Sequence, residues 1–153
     1  KKGQKILVET PTHLVGVLDF EQGAVGTIVT SFDVWAHSLP RIEIYGSEGT
    51  LRVPDPNTFG GEVEIWRPEN KEWQKVPHTH GYSENTRSIG IADMAQAILT
   101  GRPHRASGAL AYHVLDIMHS VIDASKTGHH ISLSSGIERP LPFPKGMEAG
   151  ILD

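Results

Sequence analysis

The sequence predicts an α+β fold, with antiparallel strands in the first half and two helices in the second. Three observations carry this expectation. Apolar and polar residues alternate with period two through most of the stretch from His13 to Val76. Beyond about Asn85 the apolar residues recur at three and four instead. Glycine, proline and asparagine break the first half at the short spacing that hairpins need. Hairpin neighbours pair antiparallel, so the expected architecture is one open, mostly antiparallel sheet with helices packed on one face.

The strands follow in order. Lys5 to Glu9 is a short apolar run ended by Thr10-Pro11, and His13 to Phe20 is a second run that stops at Glu21-Gln22-Gly23. That break predicts a hairpin into Gly23 to Asp33, whose β-branched residues suit a pleated surface. Arg41 to Tyr45 alternates most clearly, and Gly46-Ser47-Glu48-Gly49 turns it into Thr50 to Val53. Two prolines and two glycines between Pro54 and Gly61 exclude regular structure and predict an ordered loop. Glu62 to Trp66 and Glu72 to Val76 flank a further turn at Pro68-Glu69-Asn70.

The helices are marked at their ends. Ile91, Met94, Ala95 and Ile98 predict an amphipathic helix from about Asn85 to Leu99, stopped by Gly101 and Arg102-Pro103. Ser107 precedes a second helix, Gly108 to Thr127, closed by Gly128. Its apolar stripe is Leu110, Val114, Ile117 and Val121, widened by Leu115, Met118 and Ile122; His113, Asp116, Ser120, Asp123 and Lys126 form the opposite stripe, so His113 is expected to point away from the core. His129 to Leu133 reads as a last strand, and Pro140, Pro142 and Pro144 make the tail an extended arm.

A chain of 153 residues with 38% hydrophobic and 21% charged residues is expected to form one domain, residues 1–153. The net charge of −4, with lysines and arginines scattered singly, argues against nucleic acid as a partner. No apolar run approaches the about 20 residues that a membrane span requires. Cysteine is absent, which excludes disulfides, thiolate metal sites and cysteine nucleophiles and agrees with a cytoplasmic location. A start at Lys1, not Met, almost directly before a strand, suggests a piece of a longer polypeptide.

Histidines on the second helix raise the possibility of a metal site. The best local set is Asp116, His119 and Asp123, but it lacks the second histidine at i+4 and the intervening glutamate of a helical zinc motif. No metal ligand is therefore assigned. His129 and His130 follow a helix end, where protonated imidazole is favoured.

Three longer stretches, THLVGVLDFEQGAVGTIVTSF, IEIYGSEGTLRVPDPNTFGG and HGYSENTRSIGIADMAQAILTGRPHRASGALAYHVLDIMHSVIDASKTG, resemble the carboxy-terminal domain of the Gfo/Idh/MocA (glucose-fructose oxidoreductase, inositol dehydrogenase and rhizopine-catabolism) oxidoreductases. The resemblance spans nearly the whole chain and lies in the IYGSEGTLRV hairpin, the D-x-x-x-A-I-x-x-G-R-P helix end and the S-G-A-L-A-Y-x-V-L helix, in that order. It implies a dihydrodipicolinate-reductase-like sheet domain that supplies substrate contacts and a subunit interface. It also implies a parent enzyme whose amino-terminal Rossmann domain binds NAD or NADP and which oxidises a sugar or polyol.

Two departures stand out. The chain has no GxGxxG turn and no Glu-Lys-Pro segment of the kind that carries the family's catalytic lysine. The resemblance therefore implies a truncated substrate domain that binds no nucleotide tightly, is inactive alone and carries no catalytic residue. It places two segments near the nicotinamide, Asp33 to His37 and His80 to Arg87. In the first, Trp35 can stack and His37 can both donate and accept a hydrogen bond; the competing reading packs Trp35 into the sheet or an interface. In the second, Tyr82 and Arg87 can hold a hydroxyl or carboxylate beside His80 and Asn85, while Asn85 or Thr86 can equally cap the helix. Arg41, Glu43, Tyr45, Glu62, Glu64 and Trp66 mark the sheet face opposite the core and suit a homo-oligomeric contact. Two other readings stay open: a non-enzymatic binding or assembly module of the same fold, and a metal-dependent hydrolase resting on nine histidines.

Overall fold

A computed structural model describes residues 2–84 and 87–153. It is α+β, with six strands in two antiparallel sheets and two helices among the described residues. The expected strands thus divide between two sheets, where the periodicity suggested one. The chain falls into two compact units, residues 1–37 with 109–137, and residues 38–108 with 138–153.

The first unit is built on a ribbon of β1 (His13–Asp19) and β2 (Val25–Ser31). The turn between them closes with Phe20 N–H donating to Ala24 O at 2.9 Å and Gly23 N–H to Phe20 O at 2.8 Å. Along β1 the half-buried residues are Leu14, Gly16 and Leu18, the period-two signature of a one-sided strand. Val121 of helix α2 (Gly108–Thr127) approaches that face at Gly16. A Cβ added to Gly16 would sit 3.2 and 3.3 Å from the two methyls of Val121, so glycine here lets helix and strand approach closely. The other ribbon face presents Val15, Val17, Val25 and Val29 to solvent.

The second unit holds a four-stranded meander: β3 (Ile42–Gly46), β4 (Gly49–Val53), β5 (Val63–Trp66) and β6 (Trp73–Val76). Register puts Ile42 opposite Val53, Ile44 opposite Leu51 and Leu51 opposite Ile65, giving one apolar face. The other face carries the row Glu43, Arg52, Glu64, Lys75. There Arg52 bonds Glu43 at 3.3 Å and Glu64 at 3.1 Å, and its guanidinium lies 4.0 Å over the Trp73 ring. The charged and aromatic face expected from the alternation is therefore present, and its central cation is already paired.

Helix α1 (Ile89–Thr100) also belongs to this unit and ends at Gly101, whose φ of +71° and N–H bond to Ala97 O form the expected left-handed cap. Its orientation corrects the sequence expectation. The buried residues are Asp93 and Ala97, whereas Ile91 and Ile98, placed in the core by the periodicity, are 73% and 75% exposed. The line that turns inward is chosen by an acid and its partners, described below, and not by the aliphatic stripe.

Three further expectations are corrected. Lys5 to Glu9 and His129 to Leu133 form no strand. Ile6, Leu7 and Val8 are exposed, and no described strand pairs with them. His113 does not face solvent freely: its Nδ1 lies 2.8 Å from Ser135 Oγ, which donates to Asp116 at 2.6 Å, so α2 turns this polar pair towards the segment that follows it. His130 likewise has a partner, Asp19, at 3.6 Å. No described helix is long and apolar enough to cross a membrane.

Candidate functional site

The residues singled out by sequence fall in both units. Trp35 and His37 follow β2 in the first. Asp33, which opens their segment, accepts from Thr12 Oγ1 at 2.5 Å, and its backbone N–H donates to Ser31 Oγ at 3.0 Å. Those bonds hold the start of the segment, and Trp35 beyond it is wholly exposed, so it does not pack into the sheet. His37 is exposed as well.

His80, Tyr82 and Arg87 lie in the second unit, on the connection from β6 to α1. Asn85 falls outside the described residues, as does Thr86. Tyr82 adopts φ +65°, a left-handed conformation that costs a bulky residue energy and needs compensation from its surroundings. That compensation is visible. Its hydroxyl donates to Ile151 O at 2.5 Å and accepts from Gly150 N–H at 3.1 Å, and its ring lies 5.7 Å from that of Phe143. Tyr82 thereby ties the carboxy-terminal arm down, a role that sequence position could not show.

Two concavities flank this connection. One, of about 300 Å³, is lined by Phe59, Val63, Val76, His78, His80 and Ser83 among others, and there His78 Nε2 lies 2.7 Å from Gly61 O. The other, of about 560 Å³, is lined by Tyr82, Arg87, Ser88, Ile89, Ala92, Ala149, Gly150 and Leu152. The structure thus brings Tyr82 and Arg87 to one cavity and places His80 in the neighbouring one. Among the described residues no group of three or more histidines, aspartates and glutamates is arranged to hold a metal ion. Asp116, from the candidate helical set, is instead bonded to Ser135.

The same unit holds a cluster that sequence reasoning missed. Asp93, 1% exposed, accepts from Arg102 Nη2 at 2.8 Å, from Arg105 Nη1 at 2.5 Å and from the Arg105 backbone N–H at 2.8 Å. Arg105 also reaches Asp153 at 2.8 Å and Leu141 O at 2.9 Å, and stacks 4.2 Å over Phe143. Arg102 adds a 2.8 Å bond to Asp153 O. A signal existed: Asp93 and Ala97 stand four apart, and two arginines follow the helix end at once.

Burial on its own raises the Asp93 carboxyl, but the Arg105 N–H, then the Arg102 and Arg105 side chains, more than offset this and hold it below the usual carboxylate range. Asp153 is held low too, chiefly by its bond from Arg105. A carboxylate with a lower pKa folded than unfolded contributes stability that is complete above its unfolded value, about 3.9 for Asp, and is lost as pH falls through the folded value. Urea midpoints are therefore expected to fall below about pH 4, and to fall less in Asp93→Leu than in the parent chain. Identical acid dependence in the two would disconnect the cluster from acid unfolding.

Comparison with known families bears on the first part of the chain. Residues 3–52 match the family described as GFO/IDH/MocA C-terminal domain. Over that stretch, about a third of the 153 residues, the chain is similar to a Gfo/Idh/MocA C-terminal domain. No curated protein and no solved structure matches it. The Gfo/Idh/MocA match spans β1, β2, β3 and most of β4. It includes Trp35 and His37 and ends before His80, Tyr82 and Arg87.

Proposed function

We propose that this chain is the substrate-binding and oligomerisation domain of a cytoplasmic NAD(P)-dependent sugar or polyol dehydrogenase of the Gfo/Idh/MocA type. The observation that carries the reading is the family match over residues 3–52. Trp35, His37, His80, Tyr82, Asn85 and Arg87 are proposed as substrate contacts. The Glu43, Tyr45, Trp66 face is proposed as the subunit contact, and the internal pairing of Arg52 would let it be covered without stranding a central charge.

The residues present do not form a dinucleotide site. Among the described residues no glycine-rich turn joins a strand to a helix amino terminus, and the larger cavity has apolar walls where a pyrophosphate would need a cradle of N–H groups. On this reading the nucleotide is held by a separate amino-terminal domain, and no chemical step is assigned to the residues described. Calorimetric titration is the test. NADH or NADPH should bind a polypeptide that includes that domain about a hundredfold or more tighter than the 153-residue chain. Submicromolar binding by the chain alone would overturn the reading.

A second reading, a non-enzymatic binding or assembly module, is favoured by one observation: the Tyr82 hydroxyl is already used as both donor and acceptor. If no dinucleotide fingerprint is encoded upstream of Lys1, this reading replaces the first.

A further inference from the structure

We propose that the cavity of about 560 Å³ in the second unit binds a small organic carboxylate with an apolar body, the Arg87 guanidinium taking the carboxylate. The size lies within the range of small-molecule sites. Ile89, Ala92, Ala149 and Leu152 supply apolar wall, and among the described residues no acidic side chain lines it and Arg87 is the one charged group that does. Its hydrogen bond to Asn57, the one it makes among the described residues, is long, 3.4 Å, and uses a single N–H of the fork. A carboxylate can take two others in parallel, the geometry that guanidinium favours.

Neutral polyols fit this space poorly. Hydroxyls set against Ile89, Ala92 and Leu152 would lose water without gaining partners, and Tyr82 has its donor committed to Ile151 O. One wall, moreover, is preformed. The arm is held by Tyr82 at Gly150 and Ile151 and by Arg105 and Arg102 at Asp153, so binding need not order it. That this ligand is the parent enzyme's substrate, a carboxylate-bearing compound in place of a plain polyol, rests on the proposed function; the binding itself does not.

The test uses the 153-residue chain, with hexanoate and its neutral analogue hexanamide as probes and amide NMR shifts as readout. Hexanoate should move the resonances of Ile89, Ala92, Gly150 and Leu152. Hexanamide, and hexanoate on Arg87→Gln, should bind at least about tenfold more weakly. Ala92→Leu should block hexanoate by filling the cavity; Arg87 is exposed, so its replacement leaves a folded chain even if Ala92→Leu does not. Equal binding of the two probes, undiminished binding to Arg87→Gln, shifts confined to other residues, or no binding would overturn the proposal. Hexanoate binding without NADH binding by the longer polypeptide would instead remove the dehydrogenase reading and leave this one standing.

Discussion

Replacing Asp93 by alanine is expected to destabilise the second unit by about 3–5 kcal/mol, the usual cost of removing one partner from a buried ion pair. The change deletes the acceptor shared by Arg102 and Arg105 at the least exposed polar position described, and leaves both cations with the more exposed Asp153. For a chain of this size the thermal midpoint should fall by roughly 10 °C. The natural control is Asp123→Ala, which breaks the exposed 3.3 Å pair with Lys126 and should cost less than about 0.5 kcal/mol. Urea unfolding followed by circular dichroism measures both. A loss below about 1 kcal/mol for Asp93→Ala would mean that the cluster is solvated and not a structural clamp.

Gly16→Val should have the next largest effect, about 1–3 kcal/mol of destabilisation in the first unit, as overpacking of a close contact does. A Cβ at position 16 already meets the Val121 methyls at 3.2 and 3.3 Å and Ile28 Cγ2 at 3.4 Å, and two further methyls have nowhere to go unless α2 lifts from the ribbon. Valine's preference for strands offsets a part of this cost. Combining Gly16→Val with Val121→Ala should recover much of the loss, because the two sites share one space; additive losses would show that Val121 is not the obstacle.

The hairpins were legible because each is closed by residues a few positions apart. Gly46 and Gly49 bracket their turn, and Glu21-Gln22-Gly23 bends β1 into β2, with φ of +87° at Gly23. Helix α2 was legible to its last residue because Gly128 follows it in the left-handed conformation. The candidate strand over Lys5 to Glu9 failed for the opposite reason. A strand exists only with a partner, and the partner of a β-prone run is set by residues far away in sequence.

The face of α1 was misjudged in the same way. Its periodicity recommends Ile91, Met94 and Ile98, but the inward line is decided by Asp93, which becomes buriable only when Arg102 and Arg105 fold back from beyond Gly101. His113 followed suit once Ser135 came within reach of it and of Asp116. At the candidate site, the residue types predicted Tyr82 and Arg87 as polar groups able to meet a ligand. That Tyr82 instead anchors an arm 68 and 69 residues further on was invisible until that arm returned to it.

The sequence by itself determined the α+β class, the hairpin turns, the carboxy-terminal ends of both helices and the family resemblance, since all of these depend on local backbone preference or on the order of short motifs, whereas α1 begins at Ile89 after Ser88 and not near Asn85. Only the tertiary structure decided which helix face is buried, which ionisable groups are paired and what lines each cavity. Those outcomes turn on the desolvation of particular charges, and a buried carboxylate is tolerable or not according to neighbours that the chain supplies from a distance.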